Sequence, residues 1–287
     1  MISCIIPVFN RENFIRAALT SVLAQTRLPE EIIVVDDGST DSSAEIIHQI
    51  MQESLVPIHY HYQENQGPAA ARNLGIKKAA GDYLIFLDSD DRFEKKKIEL
   101  QLAAMLENPK CRLSHTDEKW LRNGRHLNKK KRHIPGSGDI FFRGLGLCVV
   151  GMSTVMVKKE IFAEYGLFDE SLPCCEDYDF WLRVSAFEPF LLVDRKLTVK
   201  YGGRADQVSA IHRVGMDVYR IKSLEKFISD RKLLRNKAQY RAVIKECIRK
   251  CEIYGKGCLK HDKPNESRLY LQKAEKYRAI IDNQEQL

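Results

Sequence analysis

The chain has 287 residues, of which 44% are hydrophobic and 30% are charged, with a formal net charge of +7 at pH 7. This length suits one main domain of roughly 200 residues and a smaller second one, and the apolar fraction argues against a disordered or low-complexity chain. No apolar stretch approaches the roughly 20 residues that span a bilayer. We therefore expect a cytoplasmic protein with reduced thiols, whose membrane contact is at most peripheral, at the inner face.

Strands and helices alternate along the first 91 residues. Apolar runs predict strands at residues 2–10, 31–37, 58–62 and 82–87. Helical spacing predicts helices at residues 13–25, 42–51 and 67–80. The first strand is expected to stop pairing at Pro7, which has no N–H to donate. This alternation predicts a mostly parallel sheet with helices on both faces, and such sheets bind ligands beyond the carboxyl ends of their strands.

The middle of the chain is less regular. Residues 149–157 and 190–199 are interpreted as further strands that complete the sheet. Residues 114–151 give no clear element, and within them the basic run 125–133 predicts a solvated loop. A flexible basic arm near the acceptor or the diphosphate is the alternative interpretation of that run.

The fourth strand ends in an acidic turn. Residues 84–87 are apolar, and Asp88, Asp90 and Asp91 follow them within four positions. Three carboxylates so close together repel one another and cost desolvation free energy unless a cation lies among them. Carboxylate oxygens are preferred ligands of Mg²⁺ and Mn²⁺, which also bind phosphate oxygens. These residues alone leave two interpretations open: a seat for a metal-bound phosphate, or a polar turn that is simply acidic.

Five motifs then occur in an order typical of one enzyme family, at residues 5–10, 34–41, 65–73, 86–91 and 175–183. Over residues 2–205 the sequence resembles family 2 glycosyltransferases. The resemblance implies an α/β fold of the GT-A type, with a Rossmann-like, mostly parallel sheet flanked by helices. It also implies a hexosyltransferase-type enzyme that moves a sugar from a nucleotide diphosphate donor, expected to be a UDP-sugar, to a hydroxyl of a glycan or lipid-linked acceptor, with inversion. The cofactor would be Mn²⁺ or Mg²⁺, and bacterial polysaccharide biosynthesis would be the setting.

The resemblance places the nucleotide base at the tips of the first two strands. Asp37, with Asp36 beside it, matches the position that reads the base, while Pro7 and Val8 would present backbone and an apolar surface to it. The alternative role of Asp36 is to cap the turn that follows. Arg72 matches an arginine near the nucleotide, where a planar cation stacks or binds an acceptor. A solvated helix residue is the alternative for Arg72.

The resemblance also implies a metal site at the acidic turn. Asp88 and Asp90 match the D-x-D pair of the family. Asp90 is the expected direct ligand, and Asp88 is expected to hold the ribose or the water shell of the metal. His212 loosely fits the position of a histidine that follows the last core strand in many relatives, so it is a further candidate ligand. A surface histidine is the alternative.

Transfer to a hydroxyl requires a base that removes the hydroxyl proton. Glu176 and Asp177 open an amphipathic helix, and in the company of the other motifs Asp177 is the predicted base. Glu176 is expected to bind the acceptor or to tune the pKa of Asp177. Helix capping and the helix dipole would also explain an acidic pair at this position. A base opposite the leaving group permits a single in-line displacement, which predicts inversion.

These assignments divide the chain into a GT-A catalytic domain and a helical, basic C-terminal region. The catalytic domain is residues 1–203, with a nucleotide-binding half at 1–91 and an acceptor half at 92–203. Residues 204–287 hold 20 Lys and Arg against 11 Asp and Glu. Helices are predicted there at residues 216–228, 240–254 and 267–281, with a turn at Pro264. Their basic surface would either contact anionic lipid headgroups or form a solvated cap on the sheet domain.

Two other kinds of site are not expected. Cys247, Cys251, Cys258 and His261 lie close in sequence, but their spacing matches no recognised zinc pattern. The pI near 8.9 raises nucleic-acid binding, but residues 1–203 are not basic and contain no nucleic-acid recognition motif. We therefore expect neither zinc nor a nucleic-acid partner.

Two alternative functions can be weighed against glycosyl transfer. A sugar nucleotidyltransferase shares the nucleotide-binding layout, but it would be expected to carry a glycine-rich, basic phosphate loop after the first strand, where this chain has residues 7–11. A catalytically inactive nucleotide-sugar-binding protein would be expected to have lost Asp90 or Asp177. Both residues are present.

Overall fold

The computed structural model describes residues 1–285, in which nine strands form one mixed sheet. The strands are β1 (Ile2–Val8), β2 (Glu31–Asp37), β3 (Ile58–Gln63), β4 (Tyr83–Phe86), β5 (Arg92–Phe93), β6 (Leu113–Arg122), β7 (Arg125–Leu127), β8 (Met156–Lys158) and β9 (Leu191–Gly202). The order across the sheet is β3-β2-β1-β4-β8-β6-β9-β5, and β7 pairs with β6. The strands β1 to β4 are mutually parallel, whereas β8 runs antiparallel to its neighbours β4 and β6.

Helices cover both faces of this sheet. They are α1 (Ile15–Leu23), α2 (Ser43–Glu53), α3 (Pro68–Lys78), α4 (Lys97–Glu107), α5 (Phe141–Gly144), α6 (Glu160–Tyr165), α7 (Glu176–Ser185), α8 (Val208–Ile211), α9 (Met216–Ser229), α10 (Lys237–Lys260) and α11 (Pro264–Glu285). The predicted strand–helix alternation of the first 91 residues is confirmed. Because β1, β2 and β4 are parallel, their carboxyl ends meet at one edge of the sheet, as expected.

Strand pairing continues through Pro7, so the prediction that it stops there is wrong. The register of β1 with β2 includes Pro7 opposite Val35 and Val8 opposite Asp36. The carbonyl of Ile5 accepts from Leu87 on the β4 side, and alternate residues of a strand face the same neighbour. Pro7 therefore faces the β4 side, beyond the last β1–β4 pair. Its missing N–H costs no hydrogen bond to β2.

Two predictions for the middle of the chain also need correction. Of the strand predicted at 149–157, only residues 156 and 157 belong to a strand, β8, because residues 152–154 form a short 3₁₀ turn. Residues 114–151, expected to be irregular, contain most of β6 and all of β7. β6 was missed because both of its faces carry buried polar side chains, among them Ser114, His115 and Thr116, which break the apolar alternation typical of a strand.

Three apolar clusters hold these layers together. One lies between the sheet and α1, α2 and α4, and a second lies between the sheet and α3, α6 and α7. The third joins α7 to the C-terminal helices, with Tyr178 and Leu182 against Phe227, Val243 and Cys247. The C-terminal helices thus pack on the catalytic part, and the division at residue 203 stays a prediction. None of the helices in the described part of the chain has the length and hydrophobicity of a membrane span.

Gly75 lets α3 approach β1 closely. A Cβ atom at Gly75 would lie 2.5 Å from Cγ2 of Ile5, whereas one at Gly257 of α10 would meet nothing within 4 Å. The close approach matters for the site, because α3 starts beside Asp37 and carries Arg72.

We predict that Gly75→Ala destabilises the protein by about 1–3 kcal/mol, because the added methyl group overpacks the α3–β1 contact. Gly257→Ala is the matched control and should be neutral or stabilise by up to about 1 kcal/mol, since alanine is the better helix former. Urea unfolding followed by circular dichroism would measure both. Equal effects of the two substitutions would contradict the packing argument.

Candidate active site

The loops after β1 and β2 are bound to each other. Asn10, which adopts a left-handed backbone conformation with φ 51°, accepts a hydrogen bond from the Thr40 N–H at 2.8 Å and donates its own N–H to Ser39 Oγ at 2.9 Å. The Arg11 N–H donates to Ser43 Oγ at 2.8 Å. These contacts make a fixed rim at the carboxyl ends of the strands.

The two acids at the tip of β2 are buried and already hydrogen-bonded. Asp37 Oδ1 accepts from Gln63 Nε2 at 2.6 Å and from the Gln66 N–H at 2.9 Å, and Oδ2 accepts from the Gly67 N–H at 2.8 Å. Asp37 thereby holds the start of α3, and burial raises its pKa. Asp36 accepts from the Ser39 N–H at 2.8 Å, which is the turn-capping role left open by the sequence. Their contact with a nucleotide base stays a prediction.

Arg72 joins three parts of the predicted site. Its guanidinium, on α3, donates to Glu176 Oε1 at 2.5 Å and to Asp88 Oδ1 at 2.8 Å. Arg72 is only 6% exposed, so the alternative of a solvated helix residue is wrong. Burial opposes the charge of Arg72, but Asp88 and Glu176 outweigh that effect and raise its pKa. The charge of Asp177 acts in the same direction.

The carboxylates bridged by Arg72 differ in their electrostatics. Burial raises the pKa of Glu176 even though the guanidinium opposes that rise. Burial also disfavours the charge of Asp88, but Arg72, Lys200 and Arg11 outweigh it and hold the pKa of Asp88 below its ordinary value. The pKa of Glu176 is therefore raised and that of Asp88 is lowered, although both carboxylates pair with Arg72.

Asp91 is an internal residue of the turn. It is 1% exposed, and its carboxylate accepts from Ser153 Oγ at 2.8 Å and from the Tyr201 N–H at 3.2 Å. Burial, with the charges of Asp88 and Asp90, raises its pKa well above the ordinary value. Ser153 also accepts from the Asp88 N–H at 3.0 Å. The 3₁₀ turn at residues 152–154 thus fixes the shape of the acidic turn.

Basic side chains that the sequence analysis missed surround the acidic turn. The charges of Asp91, Glu118, Asp88 and Asp90 raise the pKa of Lys200, although burial opposes this. Arg204 contacts the Asp90 carboxylate directly. Lys200 is one of four charged residues of β9, and Arg204 follows the strand. Neither belongs to a motif, so only the pairing of β9 with β6 and β5 reveals them.

The donor set at the acidic turn fits a divalent cation only in part. No three His, Cys, Asp or Glu side chains within residues 1–285 are grouped as a ready metal site. Asp90 nevertheless holds a cation, the guanidinium of Arg204, and one or two carboxylates with substrate phosphates are a usual donor set for Mg²⁺. His212 ends α8, where its ring packs edge-on against Tyr219, and its role as a ligand stays a prediction.

The predicted base lies in the first turn of α7. Asp177 Oδ1 accepts from the Tyr178 N–H at 2.6 Å, and the preceding residue but one, Cys175, adopts a left-handed conformation with φ 65° that begins the helix. Asp179 faces the other way and pairs with Arg183 at 3.1 Å.

Helix α3 connects Asp37, at the end of β2, with Arg72 and its two carboxylate partners. The distance from Gly67 to Arg72 is about 7.5 Å along a helix axis.

Comparison with known protein families identifies the family of this chain. The sequence model of the family described as "Glycosyl transferase family 2" matches residues 3–166. This match covers more than half of the chain, and the chain belongs to that family, as the motifs predicted.

Curated relatives share part of the chain. An "Uncharacterized glycosyltransferase" of Rickettsia felis is 39% identical over 203 residues, which are 69% of this chain and 32% of the relative. The "Putative teichuronic acid biosynthesis glycosyltransferase TuaG" of Bacillus subtilis is 36% identical over 161 residues, which are 56% of this chain and 63% of TuaG. The chain thus spans about a third of the length of the Rickettsia felis relative.

Solved structures confirm the predicted GT-A fold. S. aureus TarS 1–349 in complex with UDP superposes with a TM-score of 0.61 at 18% identity, covering 96% of this chain and 91% of that one. The mannosyltransferase PcManGT from Pyrobaculum calidifontis, in complex with GDP-Man and Mn²⁺, gives 0.65 at 14% identity, covering 98% and 78%. At these identities the likeness concerns the fold alone.

Replacing Arg72 by methionine should destabilise the fold by about 3–5 kcal/mol, because Asp88 and Glu176 would remain buried without their cation. The free energy of unfolding in urea is the measurement. Arg249→Met is the matched control, since the Arg249 side chain is 52% exposed and its partner Glu246 keeps a second cation, Lys250, at 3.4 Å; pairs that involve exposed side chains contribute about 0–1 kcal/mol. A cost for Arg72→Met as small as that of the control would show that Arg72 is no structural bridge.

Proposed function

We propose that the chain is an inverting glycosyltransferase. It moves a sugar from a nucleotide diphosphate donor, expected to be a UDP-sugar, to a hydroxyl of a glycan or lipid-linked acceptor. The observation that supports this most is the Arg72 bridge, because Arg72 pairs both with Asp88, the proposed donor-side acid, and with Glu176 beside the proposed base. The UDP and UDP-GlcNAc of the TarS structures and the GDP-Man of PcManGT suggest the class of donor.

On the donor side, the chain offers a recess for the base and cations for the diphosphate. We assign the base to Pro7, Val8, Asp36 and Asp37 at the tips of β1 and β2. Arg72, fixed between two acids, keeps Asp88 in place for the ribose. Asp90 would hold Mn²⁺ or Mg²⁺, which when bound offsets the negative charge that develops on the departing diphosphate.

On the acceptor side, Asp177 takes the proton of the attacking hydroxyl. The acceptor oxygen bonds to the anomeric carbon while the bond from that carbon to the diphosphate oxygen breaks. We assign Asp177, at the start of α7, to the face opposite the leaving group, from which attack inverts the anomeric centre. The ion pair of Glu176 with Arg72 supports a positioning role for Glu176 more than direct contact with the acceptor.

The setting of the reaction is also a proposal. The name of TuaG suggests assembly of a bacterial cell-wall polysaccharide. A cytoplasmic location, with peripheral contact of residues 204–287 at the inner face of the membrane, is supported by the excess of basic side chains in that region. Anionic headgroups attract such surfaces.

A thermal-shift panel of UDP-sugars and GDP-mannose, each with and without Mn²⁺, tests the donor and Asp90. We expect one donor to stabilise the protein, by about 2.7 kcal/mol at a concentration 100 times its dissociation constant. Asp90→Asn should lose the Mn²⁺-dependent part of the shift, whereas Asp82→Asn, which changes an exposed acid, should keep it. An unchanged shift in Asp90→Asn removes Asp90 as ligand, and no shift with any donor contradicts the proposal.

Asp177→Asn should lower kcat by about 10²–10⁴-fold, the contribution of a positioned general base, while the donor-induced thermal shift is retained. Release of nucleotide diphosphate and NMR of the anomeric proton in the product would measure rate and inversion. Asp194→Asn, on an exposed part of β9, is the control. Pyrophosphate exchange would instead support a nucleotidyltransferase, and donor binding without turnover in the unmodified chain would support a binding protein.

A further inference from the structure

One arginine, Arg204, pairs with the Asp90 carboxylate and is itself held by further contacts. Arg204 Nη2 donates to Asp90 Oδ2, and Arg204 Nε donates to Asp206 Oδ1 at 3.1 Å. The guanidinium also lies 4.2 Å from the ring centroid of Phe14 on its flat face. The Asp90 side chain is 15% exposed and that of Arg204 is 21% exposed. This is a largely buried ion pair, not a passing surface contact.

A second arginine extends this pair into a chain of alternating charges. Arg11 Nη1 pairs with Asp206 Oδ2 at 2.9 Å, so Arg11, Asp206, Arg204 and Asp90 follow one another. Arg11 belongs to the rim formed by the loops after β1 and β2, and its charge also reaches Asp88. These four charged side chains therefore join the predicted nucleotide side of the site to the segment that follows β9.

We propose that Arg204 is a resident counter-cation at Asp90, which a divalent ion displaces only when a nucleotide diphosphate takes over the guanidinium. The inference rests on the proposed role of Asp90 as metal ligand. It makes Arg204 a residue that couples binding of the metal to binding of the donor.

Electrostatics supports this exchange of partners. Arginine stays charged at any physiological pH, so a divalent ion at Asp90 and the guanidinium beside it would repel each other. A diphosphate removes that conflict, because the planar fork of arginine fits phosphate oxygens as well as it fits a carboxylate. Binding of the ion and of the diphosphate should then be positively coupled, and the coupling must be the same in both directions.

The backbone around Arg204 is built to place this side chain. Gly203 has φ +100°, and a Cβ there would lie 2.5 Å from Asn123 Oδ1 and 2.9 Å from Arg122 Cγ, so the chain turns tightly against the β6–β7 hairpin. Gln207 Oε1 accepts from the Gly203 N–H at 3.0 Å, and Gln207 Nε2 donates to the Tyr201 carbonyl at 3.0 Å. The turn brings Arg204 back over the acidic turn from the end of β9.

Titration of Mn²⁺ into the full chain, followed by the electron paramagnetic resonance signal of free Mn²⁺, tests the inference without turnover. Each variant is titrated alone, with UDP and with GDP. Without nucleotide, Arg204→Gln should bind Mn²⁺ about tenfold more tightly than the unmodified chain, because Asp90 has lost its competitor. The nucleotide should strengthen Mn²⁺ binding in the unmodified chain and do so much less in Arg204→Gln.

Three further variants make the result decisive. Arg204→Lys keeps a cation and should resemble the unmodified chain, and Arg213→Gln changes an exposed arginine of the same segment and should have no effect. Asp90→Asn should abolish the site. If Asp90→Asn binds Mn²⁺ normally, the assignment of Asp90 fails and this inference fails with it. If Asp90→Asn loses Mn²⁺ but Arg204→Gln binds as the unmodified chain does, or no nucleotide alters Mn²⁺ binding, only the inference is overturned.

Discussion

The buried guanidinium of Arg72 sets the geometry on which the rest of the cleft depends. A charge in that place would be expelled to solvent if it lacked partners, and the two carboxylates would likewise be unstable without it. Since Asp88 follows β4 and Glu176 starts α7, the ion pairs fix the separation of the sheet edge from the helix that carries Asp177. The position of Arg72 is in turn set by α3, which packs on β1 through Gly75. The close packing of α3 at Gly75 thus helps to position Arg72, and through Arg72 the carboxylates of Asp88 and Glu176.

The distribution of charge in the cleft changes the interpretation of the acidic turn. From the sequence, three neighbouring carboxylates are expected to need a cation among them. The structure supplies protein cations and hydrogen bonds instead: Arg72 for Asp88, Arg204 for Asp90, and the Ser153 hydroxyl for Asp91. A metal is therefore not needed to hold the turn together. The proposed role of the metal is only to offset the negative charge of the donor diphosphate.

Local pattern was enough to predict the first half of the fold, because parallel strands that alternate with helices repeat on a scale of about 30 residues. The acidic tips could be placed at one edge for the same reason. The partners of those acids could not be predicted. Glu176 lies 104 positions from Arg72, and Asp90 lies 114 positions from Arg204. No periodicity links residues so far apart. β6 has polar side chains buried on both faces, so no apolar alternation in the sequence indicates this strand.

The C-terminal helices contribute to the cleft through the helix that bears the proposed base. On one side of α7, Phe180 and Trp181 belong to the apolar cluster under the sheet. On its other side, Tyr178 and Leu182 belong to the cluster formed with α9 and α10. Lys226 of α9 pairs with the buried Asp179 at 2.7 Å. Elements before and after residue 203 thus both pack against α7. A boundary at residue 203 would divide the sequence there, but both parts of the chain hold the helix that carries Asp177.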